Sequence, residues 1–330
     1  LSGSATCTAN SNDIVITVQS AVTGGTITAA QTVCSGGDPA AFTQSVASTG
    51  SGTLSYEWKA STDSYVSTLG TSSTYDAPSG LTVNTTYRRV TTSTSGSVSC
   101  TATSNDVLVT VQSTVTGGTI AASETICNGG DPAAFTETVA STGSGTLTYA
   151  WKHSTDGYAS VLGTGTSYDV SSGLTSTTTY RRITTSTTGS VGCTANSNDI
   201  IVTVQGTVTG GTIAAAQTIC NGGDPAAFTE SVAATGSGTL SYAWKHSTDS
   251  YAATLGTSNT YDVPSGLTLS TTYRRITTST VGSLTCTATS NDIVITVQGA
   301  VTGGTIASSQ TICNGGDPAA FTESVSSTGS

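Results

Sequence analysis

The sequence predicts an all-β protein of tandem sandwich domains, and three observations carry the prediction. The stretch QTICNGGDPAAFTESV at 217–232 recurs with few changes at 31–46, 124–139 and 310–325, each copy 93 residues after the last. Within each period, short runs of β-branched and aromatic residues are separated by Gly, Asn, Asp and Pro turn signals. No run has helical spacing. A fixed period decides the architecture before any single motif does. A unit of 93 residues is long enough for its own core, whereas solenoid repeats of about 20–50 residues must stack to bury one. The chain therefore reads as beads on a string. Complete units are expected at 22–114, 115–207 and 208–300, with closing strands of a preceding unit at 1–21 and opening strands of a following one at 301–330. Leu1 and Ser330 both fall inside a unit, which reads as a window on a longer protein.

The third unit stands for all. VTGGTIAAAQTIC (208–220) reads as a linker and a first strand ending at Cys220, and NGGDP (221–225) as a turn. AAFTESVAA (226–234) alternates Phe228, Glu230 and Val232 against Ala227, Thr229 and Ser231. LSYAWKHS (240–247) is a strand carrying Trp244, the one Trp of the unit. The stretch 247–270 is expected to hold two or three short strands. TTYRRITTST (271–280) is a β-branched strand, and the closing run sets Ile293, Ile295 and Val297 on one face. Seven or so strands with turns every 8–12 residues match a sandwich of immunoglobulin type. Trp244 early in a third strand and Tyr273 opening the penultimate one stand where that fold keeps its core Trp and corner Tyr. Trp58 with Tyr87 and Trp151 with Tyr180 repeat the pair, and all six rings read as core.

The ICxGGDPA turn, the YxWK strand, the TTYRR strand and the CTAxSNDIxITV exit together resemble the tandem Ig-like repeats of very large Bacteroidota surface proteins. Gliding adhesins and other cargo of the type IX secretion system belong to that group. The resemblance covers the whole chain. It implies secretion, a cell-surface fibre and no enzymatic role for the repeats.

Composition narrows the partners. Charged residues are 8% of the chain, against about 25% in ordinary domains. All nine basic residues fall on three repeat positions: Lys59, Lys152 and Lys245, then Arg88-Arg89, Arg181-Arg182 and Arg274-Arg275. A net charge of −10 without a basic stripe argues against nucleic acid and anionic membrane surfaces. No apolar run approaches the roughly 20 residues of a membrane span.

Eight cysteines form two series, Cys7, Cys100, Cys193, Cys286 and Cys34, Cys127, Cys220, Cys313. Two per unit in a Ser/Thr-rich chain read as disulfides in an oxidising compartment rather than a metal site, which wants clustered ligands. Three pairings stay open. Base rate favours the intradomain set Cys34–Cys100, Cys127–Cys193 and Cys220–Cys286. Strand polarity favours Cys34–Cys193 and Cys127–Cys286, because a sandwich about 25–30 Å tall separates the intradomain pairs beyond the ~7 Å Cα limit. A third set starts with Cys7–Cys34 and uses all eight.

Other candidates have plainer readings. Asp38, Asp131, Asp224 and Asp317 of GGDP read as turn residues. A calcium site would need them joined by the STD acids (Asp63, Asp156, Asp249) and the SND acids (Asp13, Asp106, Asp199, Asp292), since it takes about 6–8 oxygens. No other cofactor is implied. Adjacent strand arginines face opposite ways, so one of each pair points inward, toward a carboxylate such as Asp76, Asp169 or Asp262, and the other outward into water. The lysines read as surface residues rather than isopeptide donors. His153 and His246 face Ala60 in the first unit, so no catalytic set repeats and no enzyme is expected. The fibre reading is structural, its partners neighbouring repeats and other copies of the chain. Its rivals are glycan binding through Tyr65, Tyr158 and Tyr251, and lateral assembly through open sheet edges.

Overall fold

A computed structural model describes residues 1–329. They fall into two compact units, Leu1–Ala121 with Thr136–Ser167 and Arg181–Asn198, and Ala122–Phe135 with Tyr168–Tyr180 and Asp199–Ser330. The division passes through the second repeat. The first repeat lies in one unit and the third in the other.

Each complete repeat contains seven strands. In the first these are β1 (Thr26–Ile27), β2 (Gln31–Cys34), β3 (Gln44–Val46), β4 (Thr53–Ala60), β5 (Thr85–Ser95), β6 (Val98–Thr103) and β7 (Val107–Gln112). A small sheet pairs β1 with β3, and a five-stranded sheet runs β2-β7-β5-β4 with β6 also on β5. The third repeat reproduces this with β15 (Thr212–Ile213), β16 (Gln217–Cys220), β17 (Glu230–Val232), β18 (Thr239–His246), β19 (Thr271–Val281), β20 (Leu284–Thr289) and β21 (Ile293–Gln298). The second has β8 (Thr119–Ile120), β9 (Glu124–Ile126), β10 (Glu137–Val139), β11 (Thr146–His153), β12 (Thr178–Thr188), β13 (Val191–Asn196) and β14 (Ile200–Val204). After the third repeat come β22 (Thr305–Ile306) and β23 (Glu323–Val325), paired with each other. The protein is all-β, built of tandem Ig-like sandwiches.

β5 explains the sequence of its repeat. Its buried positions alternate strictly as Thr85, Tyr87, Arg89, Thr91 and Ser93, so period two holds while the inward face turns polar along its length. The apolar part of the core gathers Ile27, Val33, Phe42, Trp58, Tyr87, Val107 and Val109 around one end. Trp58 is fully buried and stacks near Phe42 and Tyr75, centroids 5.8 and 5.6 Å away. Trp151 and Trp244 are equally buried, and Tyr87, Tyr180 and Tyr273 are almost so.

Three local readings need correction. The first predicted strand is two, β15 and β16, which join opposite sheets: β15 pairs antiparallel with β17, and β16 parallel with β21. Trp244 lies near the end of the fourth strand, and Tyr273 is the third residue of the fifth, because the closing strand is split into β20 and β21. The stretch 247–270 holds no strand. It opens with a 3-10 turn, Ser247–Asp249, followed by left-handed Ser250 and Tyr251 at φ 59° and 64°. The Asp249 carboxylate accepts from the amides of Ala252 and Ala253 at 3.2 and 2.7 Å, which curls the chain instead of extending it. Isolated backbone bonds such as Phe228–Tyr261 and Trp244–Gly256 close the rest.

The Gly-Gly pair before the first strand is dictated sterically. A Cβ on Gly210 would sit 2.2 Å from the carbonyl carbon of Thr289, and Gly211 holds φ 67°. Neither position accepts a side chain without moving backbone.

Candidate functional site: the junctions between repeats

Gln112 ends β7 and is almost wholly buried, although it stands at the end of its domain. Its Nε2 donates 2.9 Å to the carbonyl of Val191, in the last hairpin of the next repeat. The neighbouring Ser113 amide donates 3.2 Å to Ser144 Oγ. Parallel pairing places Cys34 opposite Gln112. Cys34 is therefore carried to the same spot, where it bonds Cys193, with Cα atoms 5.7 Å apart. The second junction keeps the disulfide but holds its Gln differently. Gln205 is buried, its backbone amide donates 2.9 Å to the Ile126 carbonyl of its own repeat, its side-chain Oε1 accepts from Ser237 Oγ of the next repeat at 3.3 Å, and Cys127 bonds Cys286, again with 5.7 Å between Cα atoms.

The bonds thus join successive repeats. The intradomain set Cys34–Cys100, Cys127–Cys193 and Cys220–Cys286 is not formed, nor is the set beginning Cys7–Cys34. The reason is strand polarity: Cys34 stands opposite Gln112, where the chain leaves the domain, whereas Cys100 stands opposite Ser93 in the hairpin at the other end of β5. Cys7, Cys100, Cys220 and Cys313 are thiols.

The inward arginines do not meet Asp76, Asp169 or Asp262. Arg182 and Arg275, both fully buried, reach Glu137 and Glu230 at 2.6 and 2.7 Å. Each also donates to two carbonyls, Gly117 and Thr166 for Arg182, Gly210 and Asn259 for Arg275. Tyr149 and Tyr242 lie under the guanidinium planes at 4.7 and 4.6 Å. The first repeat carries Gln44 where the others have Glu. There burial pushes the Arg89 guanidinium below its ordinary range against the opposing pull of Tyr56.

Burial pushes the Glu137 carboxyl up, but bonds from Arg182 and the Ser141 amide outweigh it, and the group ends below its usual range. A carboxyl depressed in the folded state contributes stability above its unfolded pKa and loses it as pH falls through the folded one. Glu137→Gln removes that term. Acid unfolding of the second repeat should then become less steep below about pH 4.3, the ordinary glutamate value, as followed by hydrogen exchange in peptides of β12. An acid limb of unchanged slope would refute the assignment.

The outward arginines are not simply solvated. Arg88 and Arg274 pair with Asp106 and Asp292 at 2.7 and 2.9 Å. Arg88, Arg181 and Arg274 also cover the rings of Tyr65, Tyr158 and Tyr251 at 3.7, 4.0 and 3.8 Å. One face of each loop tyrosine is thereby taken. Lys59, Lys152 and Lys245 donate to the loop carbonyls of Val66, Ala159 and Ala252, so they pin the same loop the STD acids curl. Asp156 there is held down to about 2, chiefly by the backbone amide and side chain of Ser160.

Asp106 and Asp292 of SND and the STD acids are thus committed to different partners, and the GGDP aspartates are exposed, those at 38, 131 and 224 beside buried prolines. Among the described residues no three His, Cys, Asp or Glu are placed to hold a metal ion. The residues that sequence reasoning passed over are Gln112, Gln205, Glu137, Glu230 and the asparagine of SND. Asn105 takes the Ile27 amide at 2.7 Å and returns a bond to its carbonyl at 3.3 Å, fastening β1 as a strand neighbour would. Recurrence of VQ and SND at fixed places was the available signal.

The family model described as a domain of unknown function, DUF8696, matches residues 23–113, 116–206 and 209–299. No curated protein matches the chain. Among solved structures, the titin I-band fragment I67–I69 is 9% identical, covering 82% of this chain and 95% of its own at a TM-score of 0.39. Mouse cadherin-23 EC22–24 is 14% identical, with coverage of 84% and 100% and a TM-score of 0.29. A SusE-like surface-located polysaccharide-binding protein from the Bacteroides thetaiotaomicron heparin utilisation locus is 11% identical, with coverage of 84% and 61% and a TM-score of 0.28.

Proposed function

The chain belongs to the DUF8696 family three times over, and on that premise we propose that it is the structural repeat region of a secreted bacterial cell-surface fibre. The units 22–114, 115–207 and 208–300 act as its links, in the manner of a stalk or gliding-type adhesin shaft. The observation that carries this reading is the pair of disulfides Cys34–Cys193 and Cys127–Cys286, each fastening one repeat to the next. A chain that covalently ties its own domains together resists separation of those domains, which is a mechanical task. Disulfides also fit an extracellular compartment, where they persist. Cargo of the Bacteroidota type IX system is the class this reading points to.

The reading needs no catalytic residue and no cofactor. Glycan binding by Tyr65, Tyr158 and Tyr251 is less well supported, since an arginine already lies over one face of each ring.

Electron microscopy of the native material tests the proposal. A thread about one sandwich wide, ~20–25 Å from two sheets and their side chains, is the expected result. A thicker filament with helical order would replace it with lateral assembly of the repeats.

A further inference from the structure

We propose that the two junction disulfides open to a small thiol in a fixed order, Cys34–Cys193 before Cys127–Cys286, with the attack falling on Cys34. The inference rests on the structural reading above and adds a redox control to it.

In each bond one cysteine is the approachable one. Cys34 and Cys127 are half-buried, whereas Cys193 and Cys286 are each 6% exposed. Each bond also lines a cleft, and the clefts differ in size. The first, of about 350 Å³, has Ser35, Ser113 and Gly192 in its walls. The second, of about 120 Å³, has Asn128 and Gly206. The sequence accounts for the difference. Ser35 stands where the second repeat carries Asn128, and Gly192 where the third carries Thr285. Both exchanges take side-chain atoms away from the first cleft, and Ser113 in place of Gly206 returns only a hydroxymethyl group.

The oxygens around the sulfurs differ in the same sense. Thiol exchange passes through three sulfurs in line that share one negative charge, and neighbouring oxygen lone pairs disfavour that charge. At the second junction Cys127 Sγ lies 3.6 Å from the Thr285 carbonyl oxygen, and Cys286 Sγ lies 3.6 Å from Gln205 Oε1. At the first, Cys34 Sγ is 3.9 Å from the Gly192 carbonyl oxygen. Gln112 there engages Val191 and Ser186 instead of a sulfur.

Reduction proceeds by two exchanges. A thiolate RS⁻ attacks Cys34 Sγ, the bond between RS and Cys34 forms, and Cys193 leaves as the thiolate and takes a proton from water. A second RS⁻ attacks the RS sulfur, releasing RSSR and the Cys34 thiolate, so the small thiol is oxidised and the protein bond reduced. The order frees the first repeat from the second while the second stays tied to the third.

The test uses the full chain with Cys7, Cys100, Cys220 and Cys313 blocked by N-ethylmaleimide. Reduced glutathione is added, samples are quenched over time with iodoacetamide, and peptide mapping locates the opened bonds. Cys34–Cys193 should open about tenfold faster than Cys127–Cys286, with the first glutathione adduct on Cys34. Its rate should rise in proportion to glutathione, as direct entry to a cleft requires. Ser35→Asn with Gly192→Thr should erase the lead by slowing the first bond. Asn128→Ser with Thr285→Gly should erase it by speeding the second. Equal rates, the reverse order, a first adduct on Cys193 or a rate that saturates with glutathione overturns the proposal. The untreated chain is mapped alongside. Both disulfides present but opening without order sinks this proposal alone, and their absence sinks the structural reading as well.

Discussion

Arg275→Ala should destabilise the third repeat by about 3–5 kcal/mol, the usual cost of removing one partner from a buried pair. The guanidinium is fully buried and lies over Tyr242 at 4.6 Å. It holds the carbonyls of Gly210 and Asn259 at 2.9 and 2.7 Å together with Glu230. Truncation strands all three acceptors and opens a hole the length of the side chain. The Gly210 bond matters most, because it ties β19 to the linker that leads into the repeat. Glu230→Leu with Arg275→Met relieves the stranded carboxylate but not the carbonyls, so the double variant should recover only part of the loss. Hydrogen exchange of the full chain, resolved by peptide, reads the effect: protection in 271–281 falls while 85–95 keeps its own. Unchanged exchange in β19 would mean that the arginine is a passenger.

Trp244→Ala should cost a similar amount, about 3–5 kcal/mol for an aromatic removed from a core. Its indole is wholly buried between Phe228 and Tyr261, with ring centroids 5.6 and 5.7 Å away. The indole N–H also satisfies the Ser258 carbonyl at 2.9 Å, so Trp244→Phe leaves an acceptor unpaired and should fall between wild type and alanine. Urea unfolding should resolve an early transition for the altered repeat, with the emission of Trp58 and Trp151 reporting the others. Full coincidence of all transitions at the wild-type midpoint would overturn the assignment of Trp244 as the centre of its domain.

Much of the fold was legible because it is local. The 93-residue period, the alternation of TTYRRITTST and the turn chemistry of NGGDP each need only a few neighbouring residues. The loop at 247–270 misled because Gly, Asn and Pro signals also bound strands, and nothing in the pattern shows Asp249 gathering its own amides. The partners of the inward arginines were missed for a different reason. Glu230 lies 45 residues before Arg275, and the two stand on strands of different sheets, so the meeting of those sheets rather than spacing brings them together. The cysteines lay between these cases. Polarity within a domain argued against the intradomain bonds, yet the choice depends on how the next domain is turned, and the buried Gln that sets this looks like any strand-end residue.

The two disulfides overlap in sequence, since each spans 159 residues and both enclose 127–193. Under tension along the backbone, load reaching Cys34 crosses directly to Cys193. From there the shortest covalent route runs backward through the 66 residues to Cys127 and crosses again to Cys286. Residues 35–126 and 194–285 stay slack while those bonds hold. The first and third repeats can therefore open without lengthening the strained path, and extension is metered by the middle repeat alone. Reduction would return those two segments to the load-bearing line, so the thiol balance of the surroundings sets the reach of the chain.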